Sequence, residues 1–361
     1  MYDPKACLWI PILLSIAILA NDAVGSDNQS APSPPLRRFE QSQIHMGTQF
    51  RVVFYAPDEA LATIAFRDAF SRVAELDSRL SDYRDDSELT LLSRSSGGPA
   101  VPVSKDLWEV LRRSFEISEH TDGAFDVTVG PAVRLWRRAR RTHELPTEAR
   151  IQQVLPRIGY QKIVFDDSNH SVRLTVKEML LDLGGIAKGM ATDAMRAEVE
   201  KHGIEKVMIV GGGEISLGTA PPEESGWKIG LSTPGETKGV QNEYLILTER
   251  SVSTSGDASQ YIELGGKRYS HVVDPRTGWA LTTRRQVTVV APDGSTADAV
   301  ASALSVLGRE RAESVLGQFR DVEAKIDELT ENGWKAWTSA GWDRLPREKD
   351  DLGEKPVANE P

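Results

Sequence analysis

The nine residues from Leu181 to Gly189, LDLGGIAKG, constrain the fold more than any other stretch of this 361-residue chain. An aspartate follows the apolar run Met179-Leu180-Leu181. Gly184-Gly185, Lys188 and Gly189 come directly behind it, and a helical pattern follows them. That order predicts a strand, a tight turn and a helix start. Glycines at such a turn let the backbone approach a bound group, and the free N–H groups that open a helix favour an anion such as phosphate. An ordinary strand-to-helix loop has the same outline, so this stretch alone leaves both readings open.

The composition around it is globular, 40% hydrophobic and 27% charged, enough for one large core or two small ones. Forty-three basic residues against 53 acidic leave a net charge of -10, and no long basic face breaks the pattern. This argues against nucleic acid as the main partner. One local exception, Arg134 to Arg141 (RLWRRARR), reads as the solvated face of a surface helix. Residues 1–25 have the form of an export signal: Lys5 in a short head, an apolar run from Leu8 to Ala20, then Ala23-Val24-Gly25 before Ser26. The run is too short to span a bilayer comfortably. Its expected consequence is a protein in the periplasm or on the outer face of the inner membrane, tethered there if the segment is not cleaved. The one cysteine, Cys7, lies within that segment, so the mature chain has no thiol for disulfides, nucleophilic catalysis or zinc.

Residues 26–38 read as a Ser- and Pro-rich disordered linker, 39–343 as one folded domain and 344–361 as a disordered tail. Within the domain, Gln43 to Ala56 alternates as one strand, and Asp58 caps a helix running to Leu80. Ser104 caps a second helix that ends near His120, and GAFDVTVGP runs into a Gly-Pro stop. A short helix spans Thr147 to Leu155, and another runs from Thr192 to His202 and is closed by Gly203. Ser295 is the expected cap of the last clear helix, Thr296 to Leu307. Strands intervene without strict alternation, which predicts an α+β fold of mixed sheets with packed helices.

Asp298 and Ser302 stand one turn apart on that last helix, so a carboxylate and a hydroxyl share a face and form a hard-oxygen pair suited to magnesium. A carboxylate near a helix start is also favoured by the dipole alone, and both readings stand. None of the six histidines has metal-ligand spacing with another. His271, between Ser270 and Asp274-Pro275-Arg276, is the best general-base candidate by context, or else a structural strand-end histidine. The glycines at 184 to 189 lack the Lys and Ser/Thr of a Walker loop. Gly211-Gly212-Gly213 lacks the dinucleotide order, and no G-x-S-x-G elbow occurs.

Several stretches together nevertheless resemble one family. They are Met46-Gly47-Thr48, Asp82-Tyr83-Arg84, GAFDVTVGP at 123–131, LDLGGIAKG at 181–189, GGGEI at 211–215, TSGD at 254–257, SHVVDPRTG at 270–278 and TADAVASAL at 296–304. In this order they resemble the bacterial FAD:protein FMN transferases of the ApbE type, over about residues 43–340. The resemblance implies an ApbE-like fold and transfer of FMN from FAD to a Ser or Thr hydroxyl of an acceptor with an FMN-binding domain, with release of AMP. It places Met46, Tyr83, Ala124, Phe125, Asp126, Asp182, Lys188 and the segment at His271-Val272 against the flavin nucleotide. Magnesium falls to Asp298, Ser302 and the backbone of Gly185. Rival outcomes are a magnesium-dependent FAD pyrophosphatase and a flavin-binding protein without chemistry. Three departures stand out: Ser302 where threonine is usual, Glu214 where aspartate or asparagine is commoner, and Ala258 where an aromatic is frequent.

Overall fold

A computed structural model describes residues 35–232, 234, 241–256 and 261–348. The expected export segment, most of the linker, Asp257, Ala258 and residues 349–361 of the tail lie outside the described residues. The chain opens on a hairpin of β1 (Arg37–His45) and β2 (Thr48–Ala56), paired antiparallel from Arg37 against Ala56 to His45 against Thr48. The single strand expected over 43–56 is thus two. Met46 and Gly47 form the turn with φ of 48° and 72°, the left-handed pair that matches the twist of a two-residue hairpin. Met-Gly is not one of the dipeptides that announce such a turn, so periodicity alone ran through it.

α1 (Glu59–Leu80) begins where Asp58 accepts a hydrogen bond from Leu61 N, as its cap pattern predicts. The short α2 (Glu88–Arg94), capped by Ser87, shows no sequence period and was not anticipated. After β3 (Val101–Pro102), Ser104 caps α3 (Lys105–His120) as expected. Gly130-Pro131 is not a stop; it opens α4 (Gly130–Thr142), because a proline in the first turn gives up an N–H that has no helical partner there. α5 (Glu148–Val154) leads to β4 (Ile163–Asp166) and β5 (Ser171–Leu174), which join β3 in a three-stranded sheet.

The strand expected over Met179-Leu180-Leu181 ahead of the LDLGGIAKG turn does not form. Leu181 and Asp182 instead run through the core as single chain, held by Leu181 N on Ser93 Oγ at 3.1 Å and Asp182 N on Val127 O at 2.8 Å. α6 (Ala187–Glu200) starts earlier than the expected Thr192, so Lys188 and Gly189 lie in its first turn. Then come β6 (Val207–Gly211), β7 (Glu214–Leu217), β8 (Trp227–Ser232), β9 (Gln241–Leu247), β10 (Ser251–Gly256), β11 (Tyr261–Leu264), β12 (Lys267–Ser270) and β13 (Arg285–Ala291). α7 (Gly294–Leu307) is capped by Asp293, whose Oδ1 accepts from Thr296 N at 2.7 Å; Ser295, the expected cap, sits inside the first turn. α8 (Arg309–Leu316), β14 (Glu323–Thr330) and β15 (Gly333–Thr338) complete the order.

Eight strands form one antiparallel sheet in the order β1-β2-β6-β7-β10-β13-β14-β15. Side chains alternate across it. Phe50, Val52, Phe54, Val207 and Ile209 face Ala65, Phe66 and Met195 of α1 and α6, and Val287 and Val289 face Val300 and Leu304 of α7. From the opposite face Val53, Leu217, Val252 and Val290 meet the β8–β9 hairpin through Trp227 and Leu245, with Trp342 alongside. This helix-covered antiparallel sheet is the expected α+β class. Order extends two residues into the expected linker at Arg37, and at the other end Arg347 still bridges to Leu245.

Candidate functional site

The site is built where α6 and α7 touch at their first turns. A Cβ on Gly189 would lie 2.0 Å from Gly294 O, and one on Gly294 would lie 2.4 Å from Gly189 O, so only glycines allow this approach. Asp193 holds it from behind: its carboxylate accepts from Gly294 N at 2.6 Å, Ser216 Oγ at 2.7 Å and Ser251 Oγ at 3.1 Å. Gly189→Ala should therefore cost about 3 kcal/mol or more through overpacking. Guanidinium unfolding would read this as a lower midpoint with an unchanged slope; a wild-type midpoint would mean that the helices separate freely.

Because the helices meet, the buried Asp298 of α7 reaches the first turn of α6 and accepts from Gly189 N at 3.2 Å. The Lys188 ammonium lies 3.4 Å from Asp298 Oδ2 and 3.1 Å from Glu214 Oε1, and donates to Gly184 O at 3.2 Å. Burial would lower its pKa, but the Asp298 and Glu214 carboxylates outweigh that and hold it above the usual lysine range. Glu214 is the converse: burial, then repulsion from Asp298, pushes its carboxyl up to about 8 against the pull of Lys188. Its second oxygen, Oε2, is buried without a hydrogen-bond partner. Lys188, expected at a phosphate, has its three ammonium protons directed at protein oxygens.

Ser302 and Phe125 converge on Gly185, where an added Cβ would lie 2.8 Å from Ser302 Oγ and 3.4 Å from Phe125 Cε2. Among the described residues no three His, Cys, Asp or Glu side chains cluster as a metal cage. What does cluster is a carboxylate, a hydroxyl and main chain, plus the unpartnered Glu214 oxygen. These are hard oxygens, and the buried Asp298 carboxylate is the charged one among them. That set fits magnesium, which takes one or two carboxylates and fills its remaining positions with water and phosphate oxygens.

Asp182 lies on the other side of the turn. Its Oδ1 accepts from Gly184 N at 2.8 Å, and its Oδ2 accepts from Arg137 Nη2 at 2.8 Å. Arg137 also pairs with Asp82, and its guanidinium sits 4.3 Å over the Tyr83 ring, leaving Tyr83 79% exposed on its outer side. Burial and the nearby Asp182 push the Asp82 carboxyl up, and the Arg137 bond opposes them. Met46 lies in the hairpin turn two residues before Thr48, and a Cβ on Gly212 would lie 3.2 Å from Thr48 Oγ1 and 3.5 Å from Glu214 Oε2. Ala124 is buried next to Phe125. Asp126 serves the fold: its carboxylate accepts from Thr128 N at 2.8 Å, Thr128 Oγ1 at 2.7 Å and Tyr160 N at 2.7 Å. His271 and Val272 follow directly on β12, where Val272 N donates to Ser270 Oγ at 3.1 Å and Val272 O accepts from Leu281 N at 3.0 Å; on either side of them Tyr269 and Val273 join Ala280 in an apolar cluster with Trp136 of α4, whose Nε1 donates to Gly278 O at 3.0 Å.

A family model described as the ApbE family matches residues 46–326. The chain belongs to the ApbE family. A FAD:protein FMN transferase of Klebsiella pneumoniae is 32% identical over 294 residues, 80% of this chain and 88% of that protein. One of Treponema pallidum is 30% identical over 337 residues, 89% of this chain and 91% of its own length. Among solved structures, the flavin transferase ApbE from Vibrio cholerae is similar with a TM-score of 0.79 at 28% identity, covering 86% of this chain and all of that one. Two features of this ApbE-family site escaped the sequence. Arg137 was read as part of a solvated basic face, although Trp136 beside it signals a face that packs. Glu214 was noted only as a departure, and no local signal pairs it with Lys188.

Proposed function

We propose that this chain transfers the FMN moiety of FAD to a serine or threonine hydroxyl of an acceptor protein with an FMN-binding domain, with magnesium bound and AMP released. Membership of the ApbE family carries flavin transfer as the activity, and the finer reading rests on the cluster of Lys188, Glu214 and Asp298 beside Ser302 and Gly185. Asp298, Ser302 and the Gly185 backbone would hold the magnesium. Bound there, the ion supplies positive charge to the pyrophosphate of FAD.

The rest is done by this chain. Tyr83 offers its exposed face to a planar ring, and Arg137 fixes that ring from behind. Asp182, oriented by Arg137 and Gly184 N, presents acceptor oxygens to sugar or flavin N–H and O–H groups. Met46, Ala124 and Phe125 supply apolar wall. In the transfer the acceptor oxygen bonds to the FMN phosphorus, the bond from that phosphorus to the bridging oxygen breaks, and AMP leaves with that oxygen. The hydroxyl proton needs a base, for which His271 is our candidate. Lys188 keeps Asp298 and Glu214 in place for this chemistry. Our reading puts the enzyme in the periplasm or on the outer face of the inner membrane, on the export-signal form of residues 1–25, which would also tether it there if retained.

The test is mass spectrometry of an FMN-binding-domain acceptor incubated with the protein, FAD and magnesium, beside a chelated control. Expected is an acceptor mass raised by covalent FMN together with AMP, both lost in chelator. AMP and free FMN with an unmodified acceptor would replace the proposal by a pyrophosphatase; bound FAD and no AMP would reduce it to a carrier.

A further inference from the structure

α4 carries more positive charge than the proposed site uses. Arg137 turns inward to Asp82 and Asp182, but Arg134, Arg140 and Arg141 line an open groove that begins at Tyr83. This groove of about 570 Å³ shares Arg94, Arg134 and Leu180 with a second of about 710 Å³, which Arg157 and Lys177 also line. Arg94 and Arg157 are neutralised by Asp85 and Glu178. Among the described residues no carboxylate pairs with Arg134, Arg140, Arg141 or Lys177. A row of unpaired cations in a concave surface focuses its field, and here it does so on a chain of net charge -10 that repels anions elsewhere.

FAD does not account for this charge. Its only anionic group is the pyrophosphate, which the reading above places at the magnesium held by Asp298, Ser302 and the Gly185 backbone; the isoalloxazine, ribityl and adenosine parts are neutral. The two linings run from Tyr83 through Arg94, Arg134 and Leu180 to Arg157 and Lys177, and neither includes Lys188, Asp298 or Ser302. We infer that the arginine-lined groove along α4 is the docking surface for an acidic segment of the acceptor protein, leading its hydroxyl toward the flavin site. The inference rests on the transferase reading for the identity of the partner, and on charge and shape for the surface itself. Arg134 and Arg141 are exposed and α4 is anchored by Trp136 on its other face, so their reversal leaves the fold intact. Long-range attraction of this kind is salt-sensitive and acts on encounter and affinity.

The experiment compares the wild type with Arg134→Glu/Arg141→Glu. Its probe is a fluorescein-labelled peptide of alternating aspartate and glycine around one threonine, beside the same peptide with asparagine in place of aspartate. Anisotropy should show wild type preferring the acidic peptide, a loss of about tenfold or more in the variant, and an equal fall when salt is raised. FAD affinity, read from flavin fluorescence, should stay the same. Equal binding of both peptides, or an unaffected variant, would overturn the inference. A parallel loss of FAD affinity would overturn it by assigning the groove to the flavin donor. So would salt-dependent retention by phosphatidylglycerol vesicles without peptide preference, which assigns the arginines to a membrane. Peptide binding needs no chemistry, so a chain that binds the peptide but makes no covalent flavin loses the transferase reading and keeps the surface.

Discussion

Asp298→Asn is expected to lower FMN transfer by about 10³-fold, close to 4 kcal/mol of transition-state stabilisation, in a protein that stays folded. The reasoning starts from burial. Asp298 is 3% exposed, and its Oδ2 takes the Gly189 N–H at 3.2 Å and the Lys188 ammonium at 3.4 Å. An amide has the same shape and still offers an oxygen to Gly189 N, so the contact between α6 and α7 survives. What disappears is the charge. With Asp298 neutral, the proposed set keeps the Ser302 hydroxyl and the Gly185 main chain but loses its one charged oxygen, so a divalent cation is held more weakly. Two measurements separate this from a folding defect. Manganese binding followed by electron paramagnetic resonance should weaken without any flavin present, and covalent FMN on the acceptor should fall in parallel. Wild-type transfer with the same metal requirement would remove Asp298 from the metal set and take the proposed ligand assignment with it.

The parts of this site that could be read in advance are those written in short-range spacing. Asp298 and Ser302 lie four apart on a helix whose register is set by its own apolar residues, so their shared face followed from period alone. The caps at Asp58 and Ser104 were legible for the same reason: each is a local hydrogen bond between near neighbours. Gly130-Pro131 was not legible, because a proline both ends one helix and begins the next, and only the packing of Trp136 on the 269–280 segment decides between them. The Met46-Gly47 turn was hidden by an alternation that continues through it. The Lys188–Glu214 pair and the Arg137–Asp182 pair depend on how elements cross, and the crossing is set by the Gly189–Gly294 contact, which no window on the sequence contains. Resemblance to a family carried the residue roles; spacing alone left them open.

The second large effect concerns that cluster's charge balance. Lys188→Met should destabilise the chelated protein by about 3–5 kcal/mol, because it leaves Glu214 and Asp298 buried without their cation. Glu214→Gln should cost far less, since it removes a carboxylate whose Oε2 has no partner and whose ionisation burial already opposes. The two changes together should recover much of the loss from the first, so the double-mutant cycle is strongly non-additive. The pH dependence has a definite sign. Glu214 titrates near 4.5 when unfolded and at about 8 when folded, so between those values the native state holds the extra proton. Stability from this group is therefore greatest at the acidic end of the window, falls as pH rises toward 8, and is level above it. Lys188 adds nothing in that window: its folded pKa is raised, so its contribution is complete below its usual value and is lost only at higher pH. Urea unfolding in chelator at about pH 5 and about pH 8.5 should show wild type losing stability relative to Glu214→Gln as pH rises. A difference independent of pH would mean Glu214 is already ionised throughout, and a stable Lys188→Met protein would mean the two carboxylates find water where the cluster is buried. Magnesium should restore part of the Lys188→Met loss, because a second cation then neutralises the same oxygens.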